Sequence, residues 1–218
     1  GYERAKLFAE RLGIPVTKDE PTTAIGGNVD GVSTLQMAGA FASFGNKGYY
    51  NKPSTIVKVF NATGKELVNI KSEPVKAMSE ETAYLMTNVL KGVLTNNGSS
   101  PDGKIPNFDM AGKSGSSTFD DTAFYNYGID VVNSTKDSWM IGYTTDYTVA
   151  VWQGADVLDS AAKALSYNQA KTTQVIMANV LQKASDNKAP TPFEKPAGIE
   201  TKNGVEYAKE RNKETDYM

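Results

Sequence analysis

The sequence predicts an α+β fold in which helices pack on an antiparallel sheet. Segments with apolar residues at helical spacing alternate with short segments rich in β-branched and aromatic residues. The turns between neighbouring strand-like segments are short enough for antiparallel pairing. Apolar residues make up 39% of the 218 residues, which is enough to bury a core.

Three helices are expected in the first half of the chain. Residues 2–12 carry apolar side chains at helical spacing and are followed by a glycine. Ser33 and Gln36 form a capping box at the start of a second helix, which runs through Phe44. Ser79 caps the third helix. Its core stripe would comprise four residues, Ala83, Met86, Leu90 and Leu94.

The strand-like segments predict a hairpin and a small sheet. Residues 55–60 and 66–70 flank an Asn-Ala-Thr-Gly turn, which is typical of a β-hairpin. Three further strands are expected over residues 109–118, 138–143 and 147–153. The last two are joined by a tight turn, so we expect them to pair with each other. A final helix is expected over 168–183, followed by a Pro- and charge-rich tail from residue 190.

The composition excludes several kinds of site. The chain contains no cysteine and no histidine, so it can hold no disulfide, no Cys/His zinc site and no Ser-His-Asp triad of its own. The net charge of −2 gives no basic field for nucleic acid or an anionic membrane. No run approaches the roughly 20 apolar residues of a membrane span. We therefore expect no metal, no cofactor, no nucleic-acid partner and no membrane span in this chain.

The segment Lys113-Ser114-Gly115-Ser116-Ser117 is the main candidate for chemistry. It combines a cation and three hydroxyls in the middle of a predicted strand. A glycine normally weakens a strand, and its presence here indicates a backbone that another group must approach closely. A Lys-Ser-Gly triple is a weak signal by itself, and a plain polar strand is the alternative interpretation.

The sequence resembles the transpeptidase domain of the bifunctional, high-molecular-weight penicillin-binding proteins. The resemblance rests on four blocks in family order, which together span at least residues 21–185. The blocks are GVSTLQMA with FASFGN (31–46), residues 53–64, AGKSGSS (111–117) and DSWMIGYT with VAVWQG (137–154). The fold implied is a serine β-lactamase/transpeptidase-like α+β fold, an antiparallel sheet flanked by helices.

The resemblance implies that this chain is only a C-terminal part of such a domain. The family uses Ser-x-x-Lys for the nucleophile, then Ser-x-Asn, then Lys-Thr/Ser-Gly, and only the third motif is in its place. Ser-x-x-Lys at Ser160 and Ser185, and Ser-x-Asn at Ser166 and Ser185, come after the Lys-Ser-Gly strand. About one of each is expected by chance, so we reject them. The implied division is residues 1–189 as domain and 190–218 as a C-terminal extension, with the nucleophile in an upstream part of the same polypeptide.

The resemblance also implies roles for the residues of the candidate strand. A D-Ala-D-Ala stem peptide of peptidoglycan would pair with the strand as an added strand, and Gly115 would permit that approach. The hydroxyls of Ser114 and Ser116 would bind its carboxylate, and Ser117 would be a further substrate-binding residue. Lys113 would be catalytic: its ammonium would supply positive potential where the carboxylate docks and help to keep neighbouring basic groups deprotonated. The main-chain N–H of Ser116 would be one of two oxyanion donors. Because β-lactams imitate the same geometry, they are expected ligands too.

Other notable residues have structural interpretations. We expect Trp139 and Trp152 to pack structurally, and Asp137 to start a strand and pair locally rather than to catalyse. The connection between residues 119 and 136 is long and aromatic, so it is a possible wall of a substrate cleft. The aromatic residues in question are Phe119, Phe124, Tyr125 and Tyr127.

The expected function is therefore peptidoglycan D,D-transpeptidation at the extracytoplasmic face of a bacterial membrane, with the anchor outside this chain. Residues 1–218 alone would be inactive, because they hold no plausible nucleophile and base. Two alternatives stay open: a serine β-lactamase-like hydrolase, and a non-catalytic module that binds the cell wall or acts as a scaffold. A Ser-x-x-Lys upstream of Gly1 would favour the enzyme.

Overall fold

The computed structural model describes residues 1–17, 21–27, 31–70, 72–119, 121–157 and 159–209. Within these ranges it has five α-helices; four of them lie close to the predicted bounds, and the fourth in chain order lies in the connection 119–136, where no helix was predicted. They are α1 (Tyr2–Arg11), α2 (Thr34–Gly45), α3 (Glu80–Lys91), α4 (Asp121–Tyr127) and α5 (Tyr167–Ser185).

Serine hydroxyls determine where three of the helices begin. The Ser33 side chain accepts from the N–H of Gln36 while the Gln36 side chain accepts from the N–H of Ser33, which confirms the predicted capping box of α2. Ser79 caps α3, as predicted. Ser166 forms a second capping box with Gln169 at the start of α5.

Eleven short strands lie in the described ranges, and three of them form the central sheet. The strands are β1 (Tyr49–Tyr50), β2 (Lys58–Phe60), β3 (Glu66–Asn69), β4 (Val75–Lys76), β5 (Ala111–Ser117), β6 (Ser134–Thr135), β7 (Asp137–Tyr143), β8 (Thr148–Gly154), β9 (Leu165–Ser166), β10 (Ile199–Lys202) and β11 (Val205–Ala208). The central sheet has the order β5-β7-β8 and is antiparallel throughout. The predicted three strands and both predicted hairpins, β2–β3 and β7–β8, are confirmed.

The central sheet has helices on both faces because β7 is apolar on both sides. Met140 packs with Met177 and Leu181 of α5. Tyr143, three residues further along, points to the opposite face and lies against Phe41 and Phe44 of α2. The result is a helix–sheet–helix arrangement with β7 at its centre, buried from Met140 to Tyr143.

The core stripe of α3 differs from the prediction at one position. Ala83 and Leu90 are buried as predicted, and so is Leu94, which lies three residues beyond the end of α3, whereas Met86 is 41% exposed. The buried residue of that turn is Thr87, which faces the sheet through Tyr143. Met86 precedes Thr87 by one residue and therefore points about 100° away around the helix.

The segment after α5 folds back on the domain. The ring of Phe193 packs edge-on against Tyr143, with 5.8 Å between ring centroids. The hairpin β10–β11 contacts α3, where Asn88 donates a 2.7 Å hydrogen bond to Glu206. Residues 210–218 of the predicted C-terminal extension lie outside the described residues, and the boundary at 189 stays a prediction. None of the helices in the described ranges has the length and apolar character needed to span a membrane.

Candidate active site

Strand β5 lies at an edge of the central sheet, and the β7–β8 turn fixes the direction of its backbone groups. The N–H of Thr144 donates to the carbonyl of Tyr147 at 2.9 Å, which makes this the last hydrogen-bonded pair of the hairpin. Backbone groups alternate in direction along a strand, so the odd-numbered residues of β7 turn theirs toward β5. On the β5 side, the carbonyl of Ser117 accepts from the N–H of Lys136 just before β7 at 2.9 Å, so the backbone carbonyl of this odd-numbered residue of β5 points toward β7.

The free edge of β5 therefore exposes the backbone of two serines. In the register, Lys113 lies opposite Ile141 and Gly115 opposite Trp139, so these residues turn their backbone groups toward β7. The N–H and C=O groups of Ser114 and Ser116 point the other way. No strand in the described part of the chain lies on that side of β5.

The ammonium of Lys113 lies at this free edge. Its side chain is exposed, and its Nζ donates to the carbonyl oxygen of Ser114 at 2.5 Å. Because that carbonyl points to the open side of β5, the positive charge is held there too. The edge thus offers main-chain donors and acceptors beside a cation, which suits a peptide that ends in a carboxylate.

The hydroxyls of the candidate strand lie on two different faces. Ser114 and Ser116 share the face of β5 that looks toward α5, since Ser138, opposite Ser116, donates its hydroxyl to the carbonyl of Ala170 in α5 at 2.7 Å. The hydroxyl of Ser114 is 3.2 Å from that of Ser99, in the loop before β5. Ser99 was not among the predicted site residues, and no motif distinguishes it in the sequence.

Ser117 lies on the other face, and its hydroxyl already has a partner within the chain. It donates to the carboxylate of Asp137, which is opposite it in β7. The other carboxylate oxygen of Asp137 accepts from the indole N–H of Trp152 at 2.9 Å. Asp137 starts a strand as predicted, but its side-chain partners lie 20 and 15 residues away in the sequence, so the pairing is not local, contrary to the expectation.

Gly115 also has a packing role. A Cβ at this position would lie 3.3 Å from the Cβ of Trp139, closer than ordinary van der Waals contact. Trp139 and Trp152 pack on each other, with 6.4 Å between centroids, and both are half-buried. The two tryptophans therefore form a half-buried pair beside Gly115.

The aromatic connection after β5 contains the short helix α4. Phe119 is half-buried, whereas Phe124, Tyr125 and Tyr127 are 55%, 82% and 41% exposed. Ala123 of α4 and Ile129, two residues after its end, are both buried. The possible role of these aromatic residues as a cleft wall stays a prediction.

In the rejected Ser-x-x-Lys motifs, both lysines lie near the carboxylates of aspartates. Lys163 forms an ion pair with Asp159 at 2.8 Å, and Lys188 lies 3.7 Å from a carboxylate oxygen of Asp146. Ser185 is only 2% exposed. Across the residues that the structure describes, there is no group of acidic side chains that could hold a metal ion.

Comparison with protein families decides the relationship. The model of the family described as "Penicillin binding protein transpeptidase domain" matches residues 7–182. The chain belongs to this family. The resemblance stated from the sequence is thereby confirmed, and the domain can be called a penicillin-binding protein transpeptidase domain.

Individual relatives agree with this assignment. Penicillin-binding protein 1A/1B of Bacillus subtilis is 38% identical over 205 residues, which cover 91% of this chain and 22% of the relative. The chain thus spans about a fifth of the length of the curated relatives it matches.

Solved structures confirm the fold class. Penicillin-binding protein 1A from Haemophilus influenzae has a TM-score of 0.70 at 18% identity, over 95% of this chain and 36% of that chain. The PonA1 protein from Mycobacterium tuberculosis in complex with penicillin V has a TM-score of 0.62 at 24% identity, over 92% and 53%. At these identities the likeness supports the transpeptidase-like fold alone.

Proposed function

We propose that this chain supplies the substrate-docking strand of a peptidoglycan D,D-transpeptidase. The observation that carries the proposal is the free edge of β5, where the backbone of Ser114 and Ser116 points outward beside Lys113. A stem peptide ending in D-Ala-D-Ala can pair with this edge as an added strand. Its terminal carboxylate would then be attracted by the ammonium of Lys113.

The proposed reaction is acyl transfer through a serine in an upstream part of the same polypeptide. The serine Oγ bonds to the carbonyl carbon of the penultimate D-Ala, the C–N bond to the terminal D-Ala breaks, and that D-Ala leaves as an amine carrying the serine proton. The amine of a second stem peptide then attacks the ester, forms the cross-link and returns the proton to the serine. Ser116 contributes its outward N–H to the oxyanion that develops in each step.

β-Lactams are the second proposed class of ligand. They present an acyl group and a carboxylate in the arrangement of acyl-D-Ala, and PonA1, which has a similar fold, is in complex with penicillin V. The relatives are bacterial penicillin-binding proteins, and we therefore place the reaction at the extracytoplasmic face of the membrane. In this proposal residues 1–189 belong to the catalytic domain and 190–218 extend it.

A proline substitution tests the oxyanion donor cleanly. Since the N–H of Ser116 points away from β7, Ser116→Pro removes a donor without removing a hydrogen bond of the sheet. In the intact protein we expect acylation by a fluorescent penicillin to fall about 100-fold or more. Ser116→Ala keeps the N–H and should lose far less.

Two further variants complete this test. Lys113→Ala should weaken acylation because it removes the cation at the free edge, whereas Lys65→Ala, at the exposed turn of the β2–β3 hairpin, should leave it unchanged. Equal acylation of Ser116→Pro and Ser116→Ala would refute the role given to the Ser116 N–H.

A further inference from the structure

The end of β5 that carries Ser116 is held by a set of contacts that the proposed chemistry does not use. We call the residues Ser117, Thr135, Asp137 and Trp152 the clasp. The hydroxyl of Thr135 lies 2.6 Å from the carbonyl oxygen of Ser117. The Ser117 hydroxyl donates to Asp137, and Trp152 donates to the same carboxylate.

Asp137 connects all three strands of the central sheet through its side chain. One carboxylate oxygen accepts from Ser117 in β5, and the other accepts from Trp152 in β8 at 2.9 Å. Gly154, opposite Asp137 in β8, makes room for this arrangement: a Cβ there would lie 2.7 Å from the Trp152 ring and 3.0 Å from the carboxylate. The side chain is half-buried, so water competes only partly for these bonds.

The clasp lies at the C-terminal end of β5, where the strand is held by few other contacts. Among the residues that the structure describes, strand β5 has a partner strand on one edge only, and the chain leaves the sheet after Ser117 for the connection that contains α4. Edge-strand ends fray when few groups hold them. Ser117 directly follows Ser116, so any displacement of Ser117 is transmitted to the proposed oxyanion donor.

We propose that Asp137 is a positioning residue for acyl transfer and that Ser117 acts through it. The carboxylate fixes the end of β5 in register with β7 and β8, and so keeps the N–H of Ser116 directed at the reacting carbonyl oxygen. Ser117 is then a structural partner of Asp137 and not a ligand of the substrate carboxylate. This inference rests on the proposed function.

Positioning and simple structural support predict different kinetics. A displaced Ser116 N–H weakens stabilisation of the transition state, whereas the Lys113 ammonium and the rest of the edge still bind the ligand. The acylation rate constant should therefore fall while the noncovalent dissociation constant for penicillin stays nearly unchanged. Partial unfolding would instead lower the fraction of protein that reacts and leave the rate constant of the folded part unaltered.

The experiment measures both constants in the intact protein for Asp137→Ala, Ser117→Ala and the double variant. We expect each single variant to lower the acylation rate constant about tenfold, with the dissociation constant within about twofold of wild type. The double variant should be no slower than the slower single variant, because both changes break the same bond. Ser117→Thr keeps the hydroxyl and should restore the rate, and Asp159→Asn, an exposed carboxylate beyond β8, serves as the matched control.

The outcomes separate this inference from the function on which it rests. Single variants that react at the wild-type rate, or a double variant slowed by the product of the two single effects, would overturn the role of Asp137. A Ser117→Ala variant that loses binding with an unchanged rate constant would make Ser117 a ligand and also overturn it. If the wild-type protein does not react with penicillin, or Ser116→Pro reacts normally, the proposed function itself fails.

Discussion

The hydrogen bond between Thr87 of α3 and Tyr143 of β7 should stabilise the packing of α3 on the sheet. The two hydroxyl oxygens are 3.1 Å apart, and both residues are 0% exposed. Burial raises the pKa of the Tyr143 phenol, so this group stays neutral at physiological pH. Because water cannot replace either partner, removal of one hydroxyl leaves the other unpaired inside the core.

The magnitude follows from this burial. Tyr143→Phe removes one oxygen and keeps the ring against Phe41 and Phe44, so the cost is that of leaving the Thr87 hydroxyl unpaired, about 2 kcal/mol. Thr87→Val should cost a similar amount, because it leaves the phenol unpaired. The double variant, with both polar groups gone, should be destabilised by clearly less than the sum of the two.

Pulse proteolysis of the intact protein in urea, with peptides of this chain detected by mass spectrometry, measures these effects. With a urea dependence of about 2 kcal/mol per molar, each single variant should lower the unfolding midpoint by about 1 M. A midpoint for Tyr143→Phe within about 0.2 M of wild type, or fully additive effects in the double variant, would refute the reasoning.

Three other predictions concern the C-terminal segment and the identity of the nucleophile. The hydrogen bond from Lys195 lowers the pKa of Glu206, so the contribution of this pair to stability is present above the ordinary glutamate pKa and is lost as the pH falls through the lowered one. Glu206→Gln should therefore flatten the acid side of the pH–stability curve, measured by thermal unfolding. Phe193→Ala should lower the free energy of unfolding by about 1 to 2 kcal/mol, because it removes a half-buried ring that packs on Tyr143. The same urea experiment measures this change. Peptide mapping of the intact protein labelled with fluorescent penicillin should find the adduct outside residues 1–218, and an adduct on any serine of this chain would contradict the proposal.

Local patterns in the sequence were enough to predict most of the fold. Ser33 and Gln36 define a helix start by chemistry that acts within three residues, and the hairpin β7–β8 depends on a turn that the sequence shows directly. The exposure of Met86 could not be predicted equally well, since either Met86 or Thr87 could occupy the buried position of that helical turn. Only the position of Tyr143 decides which of the two is buried.

The candidate site also has parts that the sequence predicts and parts that it does not. The Lys-Ser-Gly strand could be located from the sequence, but its free edge and the direction of the Ser116 N–H depend on the register with β7. That register spans the long connection containing α4, which no local rule fixes. The contacts of Ser99 with Ser114, and of Asp137 with Ser117, arise from the same long-range pairing and were missed for this reason.

A crystal structure of the intact protein acylated by penicillin tests the central claim most directly, because it shows where the acyl group lies relative to β5. The account predicts the acyl carbonyl oxygen at about 2.7 to 3.1 Å from the backbone nitrogen of Ser116, with the ligand along the free edge of β5 and its carboxylate beside Lys113. An acyl group attached elsewhere, or an acyl oxygen that receives no hydrogen bond from the Ser116 N–H, would contradict it.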